Sequence, residues 1–115
     1  MTEERIRDLW TQLPSDWIPV EDGKLLLQEL NREMPRGHKL KGLELVVFAQ
    51  ADYHDDIAVL LPDGQVAEIH LTWNKESDPT WPWVSGPMTF DEWLVCREED
   101  QQWREECNRK PLEDD

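Results

Sequence analysis

Ile57-Ala58-Val59-Leu60-Leu61-Pro62-Asp63-Gly64-Gln65-Val66-Ala67-Glu68-Ile69-His70-Leu71 decides how this chain folds. Two apolar runs flank a Pro-Asp-Gly bend. Proline presets the first φ, aspartate tolerates the second position, and glycine supplies the left-handed third. A three-residue loop pairs Leu61 with Gln65. That register puts Ile57, Val59 and Leu61 on one face with Ala67, Ile69 and Leu71. A two-residue loop would mix this set with Glu68 and His70, so the three-residue register is preferred. On the other face Asp56 lies opposite His70, Ala58 opposite Glu68, and His54 near Thr72.

Outward from this hairpin, Leu43 to Ala51 reads as a further strand and Asp52 to Asp55 as a turn. The strand after the bend is expected to run from Val66 to Trp73. Residues 74–88, with Trp81-Pro82-Trp83, read as a long loop, and such loops are often functional. Thr89-Phe90-Asp91-Glu92 is a capping box that opens a last helix, and Phe90, Trp93 and Leu94 give its first turns a core-facing patch. Upstream, Ile6, Leu9, Trp10 and Leu13 have helical spacing, with Thr2 as the N-cap. Trp17 to Val20 is an extended connector. A second helix is expected from Glu21 or Asp22, with Leu26, Leu27, Leu30 and Met34 as its stripe and Pro35-Arg36-Gly37 as its stop. The expected fold is α+β. Two N-terminal helices precede a three- to four-stranded antiparallel meander, and a C-terminal helix packs on one face. Residues 1–110 make one domain and 111–115 an acidic tail.

The chain has 115 residues, 12 Lys and Arg against 26 Asp and Glu, and a net charge of −14. Such a surface repels phosphate backbones and anionic membranes and complements a basic protein. No nucleic-acid or membrane role is expected. Seven tryptophans supply the burial that a charged fraction of 33% would otherwise deny. The N-terminus lacks the basic and apolar regions of a signal peptide. Cys96 and Cys107 fall roughly 16 Å apart along one helix, beyond disulfide reach. Free thiols suit a reducing, cytoplasmic setting.

Four constellations carry chemistry. Asp56, Glu68, His70 and Thr72, with Asp52, His54 and Asp55 nearby, could run acid–base chemistry or bind a ligand. The same pattern also describes a half-exposed sheet face. No motif with metal-ligand spacing occurs, and neither metal nor cofactor is expected. Trp81 and Trp83 are either anchors on a Pro-stiffened loop or a lid over the sheet. Arg32, Arg36, His38, Lys39 and Lys41 could hold an anion or simply offset the acidic field. Trp93 and Trp103 sit among Glu98, Glu99, Asp100, Glu105 and Glu106, either on a solvated helix or as anchors gripping a basic target. There is no G-x-S-x-G, G-x-G-x-x-G or P-loop. Acids around Cys96 disfavour a nucleophilic thiolate.

Asp55-Asp56, His70-Leu71-Thr72-Trp73 and Asp78-Pro79-x-Trp81-Pro82, followed by an acidic Trp-bearing helix, resemble a group of small uncharacterised bacterial proteins. The likeness covers residues 40–95. It implies a bacterial cytosolic protein and brings no activity and no catalytic residue with it. By size and charge alone the chain is similar to immunity proteins that neutralise toxins. A non-enzymatic protein binding a basic partner through Trp81, Trp83, Trp93, Trp103, Glu98, Glu99 and Asp100 is therefore expected. A small hydrolase or ligand-binding domain using Asp56, Glu68, His70 and Thr72 is the alternative. A homo-oligomer joined at the Trp-rich loop is the third.

Overall fold

The computed structural model describes the backbone of residues 2–52 and 55–109, and the side chains of residues 3–52 and 55–100. The chain runs α1 (Thr2–Trp10), β1 (Trp17–Pro19), α2 (Lys24–Glu33), β2 (Val46–Ala51), β3 (Asp56–Leu60), β4 (Val66–His70), β5 (Trp83–Met88), α3 (Phe90–Arg109). The strands form one antiparallel meander in the order β1-β2-β3-β4-β5. The α+β class agrees with expectation. The strand number does not, because five strands replace three or four.

Both added strands lie at sheet edges. Trp17–Pro19 pairs with β2, and Trp83–Met88 pairs with β4. Pro19 and Pro87 are tolerated there because an edge strand has one side without ladder bonds. Helix starts differ as well. α1 already includes Thr2, the expected N-cap, whose side chain lies outside those described. α2 begins at Lys24 behind Gly23, after Asp22 Oδ1 accepts the Lys24 N–H at 3.2 Å. β4 stops at His70, three residues before Trp73.

The central hairpin has the expected register. Asp56 pairs with His70, Ala58 with Glu68, and Leu60 with Val66. The Leu61 N–H donates to Gln65 O at 2.8 Å, and Gly64 N–H to Leu61 O at 3.0 Å. Asp63 Oδ1 accepts the Gln65 N–H at 3.0 Å, and Gly64 sits at φ +90°.

Each sheet face has its own core. Ile57, Val59, Leu61, Ala67, Ile69 and Leu71 pack with Leu30 of α2, with Met34 just beyond it, and with Leu40 and Leu45. Ala58, Leu60 and Val66 on the opposite face pack with Leu9 of α1 and with Phe90 and Trp93 of α3. The face expected to be half wet is thus covered. Its apolar half lies toward the bend, and its polar residues gather at the other end. The capping box folds α3 back over it: Thr89 N–H donates to Glu92 Oε1 at 2.9 Å, and Glu92 N–H to Thr89 Oγ1 at 3.1 Å.

Two bulges shape the edges. In β2 the register shifts between Val47 and Ala49. Phe48 O accepts both the Trp10 indole N–H at 2.8 Å and the Val20 N–H at 2.9 Å, tying α1 and the chain after β1 to the sheet. In β4–β5 the shift lies between Val66 and Glu68, opposite Gly86. Gly86 has φ +102°, and a Cβ there would stand 3.1 Å from Met88 N and 3.2 Å from Val66 O. Gly42 also has positive φ, yet its Cβ position is open. Gly86→Ala should lower stability by about 2 kcal/mol and Gly42→Ala by about 1 kcal/mol. Urea unfolding of the two variants measures the difference, and equal losses would contradict the packed bulge.

Candidate functional site at the open end of the sheet

At the end away from the bend, β2 finishes, β3 starts, β4 finishes and β5 starts. Trp17 is paired with Ala51, Asp56 with His70, and His70 in turn with Trp83. The Asp52 N–H donates to Asp16 O at 2.9 Å, and the Leu71 N–H to Asp55 O at 3.0 Å. The meander therefore gathers Asp16, Asp52, Asp55, Asp56, His70, Trp73 and Trp83 at one end. Two constellations that are separate in the sequence, the polar set and the Trp81–Trp83 segment, become neighbours through the His70–Trp83 pair.

Three tryptophans here face water: Trp73 is 51% exposed, Trp81 42% and Trp83 54%. The Trp81 and Trp83 rings are 6.2 Å apart. Between them Pro82 is buried, so the proline and not the indoles fills the lid position. His38 explains why. Its Nδ1 accepts the Leu40 N–H at 3.1 Å, which leaves Nε2 as the donor to Pro82 O at 2.8 Å. Lys39 Nζ donates to Gly86 O at 2.9 Å. Within the expected basic cluster, His38 and Lys39 fasten β5. Arg32 pairs with Glu29 at 2.7 Å, and Lys41 Nζ donates to Asn31 O.

Trp73 is held by a residue that sequence reasoning missed. Glu33 at the end of α2 is fully buried. Its Oε1 accepts the Thr72 N–H at 2.8 Å and the Thr72 hydroxyl at 3.1 Å, and its Oε2 accepts the Trp73 N–H at 2.8 Å. Burial, then the neighbouring Glu29 carboxyl, push its pKa up, opposed by the Thr72 and Trp73 donors. Trp73 itself sits at φ +60°. The available signal was one acid on the α2 stripe, three residues after Leu30.

Trp93, expected in the core-facing patch of the last helix and also as a partner anchor, is 1% exposed, so it serves the core and not the surface. It stacks edge-on to Trp17 at 5.0 Å and to Phe48 at 6.3 Å, and lies 5.6 Å from Phe90. The reason is its place one turn inside the capping box, on the face α3 turns to the sheet. Glu98 and Glu99 are exposed. Asp100 lies 3.5 Å from Arg97. Trp103, Glu105, Glu106, His54 and the tail at 111–115 lie outside the described residues or side chains. Trp93→Ala should cost about 3–5 kcal/mol, whereas Trp83→Ala should stay within about 0.5 kcal/mol. Thermal melts of both variants check this, and similar losses would remove the distinction between core and surface rings.

Of the polar set, Asp56, Glu68 and His70 meet, while Thr72 turns to Glu33. His70 Nδ1 lies 2.6 Å from Asp56 Oδ1. Glu68 is buried beneath α3, accepting the Trp93 indole N–H at 3.0 Å with Arg97 Nε also 3.0 Å away. Its pKa is pushed up to about 8, first by burial and then by its hydrogen bond to Asp56, which together outweigh Arg97. The folded protein thus keeps a proton that the unfolded chain releases near the ordinary value of 4.5. Stability from this group is complete at low pH and is lost as pH rises through about 8. Glu68→Gln cannot titrate. Urea unfolding of wild type should weaken relative to Glu68→Gln between pH 5.5 and 8.5, and parallel curves would contradict the assignment.

Among the described residues no group of His, Cys, Asp and Glu could hold a metal ion. No helix among them is long and apolar enough to cross a membrane. Cys96 is an exposed free thiol. No protein-family model, curated protein or solved structure matches the chain.

Proposed function

We propose that this is a non-enzymatic, acidic interaction protein that binds a basic protein partner, as an immunity protein binds the toxin it neutralises. One observation supports this most: Trp73 is exposed beside Asp52, Asp55 and Asp56, and the exposed Trp81 and Trp83 reach the same end of the sheet through the pairing of Trp83 with His70, on a chain of net charge −14. Exposed aromatics anchor interfaces, and an acidic surround selects cationic partners and speeds encounter. The anchors of this reading are Trp81 and Trp83 joined by Trp73, with Glu98 and Glu99 extending the acidic field along α3. The setting is the bacterial cytoplasm that the sequence resemblance implies.

Affinity capture from bacterial extract, followed by binding of the purified captured protein, tests the proposal. A basic protein whose affinity falls about tenfold or more between about 50 and about 500 mM salt is the expected result. A neutral or acidic partner, or salt-indifferent binding, overturns it. A second reading is favoured by the short Asp56–His70 contact, in which the His70 side chain is about half exposed beside Trp83. That pair could serve a small ligand-binding or hydrolytic site. Loss of a bound small molecule in His70→Ala, with Trp83→Ala unaffected, would support it.

A further inference from the structure

Below Trp73 the open end of the sheet contains a cavity of about 360 Å3. Its floor is apolar, formed by Leu26, Ile57 and Leu71, and Asp52, Asp55 and Asp56 lie around it. No lysine or arginine lines it among the described residues. Trp73, half in water, lines it as well. An isolated acidic cluster would attract any cation. Here an aromatic wall and an apolar floor accompany it, and the two together select a particular kind of cation.

We propose that this cavity receives one arginine side chain of the basic partner, with the guanidinium between the Trp73 ring and the carboxylates. This rests on the basic-partner reading above and names the group the partner inserts. The chemistry matches at three points. A guanidinium is weakly hydrated and stacks on aromatic faces. The Asp52 and Asp55 carboxylates supply acceptors for its N–H donors. The methylene stem of the side chain can lie on Leu26 and Leu71 while its charge stays at the rim. One side of the receptor is also fastened. Glu33 Oε2 grips the Trp73 backbone, and Glu33 Oε1 grips Thr72, which lowers the ordering that binding must impose on that side. Asp56 is partnered by His70, which leaves Asp52 and Asp55 as the positions to alter.

The test uses the full chain, N-acetyl-argininamide as the probe, and N-acetyl-citrullinamide as its uncharged isostere. Heteronuclear NMR follows the indole N–H signals. The arginine derivative should shift the Trp73 signal in a saturable way, and the citrulline derivative should not. The Asp52→Asn/Asp55→Asn variant should bind the arginine derivative about fivefold more weakly while its thermal melt stays close to that of wild type. Equal shifts by both probes, or no Trp73 shift with the arginine derivative, overturn the inference. The captured partner separates the two claims. If it binds Trp73→Ala and the double variant as tightly as wild type, the arginine receptor falls and the basic-partner reading stands. If no salt-sensitive partner exists, that reading falls and the probe experiment still decides the cavity.

Discussion

The register of the β3–β4 hairpin is the constraint on which the rest of this molecule depends. With Leu61 bonded to Gln65, every side chain from Asp56 to Leu71 is assigned a side of the sheet. A slip of one residue would turn Ile69 and Leu71 away from α2 while Ile57 and Val59 stayed, and would bring Glu68 and His70 into its core. The packing of α2 on one face follows from this, and so does the packing of α1 and α3 on the other. The same register also sets the polarity gradient along the second face, apolar near the bend and acidic at the open end.

Covering both faces leaves polar side chains inside, and Glu33, His38 and Glu68 among them join one element to another. Glu33 bridges α2 to the chain after β4, His38 ties the segment after α2 to Pro82, and Glu68 meets Trp93 and Arg97 of α3. A buried carboxyl is tolerated when its hydrogen bonds are made or when it keeps its proton. Glu33 follows the first route and Glu68 the second. The outcome at the open end is a set of rings and carboxylates mounted on elements that are themselves fastened from beneath.

The tryptophans divide by what their flanking residues require. Trp17 and Trp93 are drawn inward by a strand pairing and by a capped helix, and with Phe48 and Phe90 they fill the space between sheet and helices. Trp73 and Trp81 belong to the segment that joins β4 to β5 and Trp83 opens β5; there Pro82 takes the buried position and the indoles are left outside. Aromatic count alone could not make this division, since both groups have the same residue type and similar acidic neighbours.

Much was legible from local pattern. The Pro-Asp-Gly bend, the alternation on β3 and β4, and the Thr89–Glu92 capping box are interactions between residues close in the chain, so the hairpin register, the facing of its side chains and the start of α3 could be read directly. The meeting of Asp56 with His70 followed from that register. The edge strands β1 and β5 could not be read, because Trp17–Pro19 and Trp83–Met88 carry prolines and no alternation, and they become strands only when an existing sheet offers them an edge. The burial of Trp93 and Glu68, the grip of Glu33 on Trp73, and the pairing of His70 with Trp83 join residues distant in sequence. Only the folded chain could settle them, because each depends on which surfaces remain uncovered once the sheet has formed.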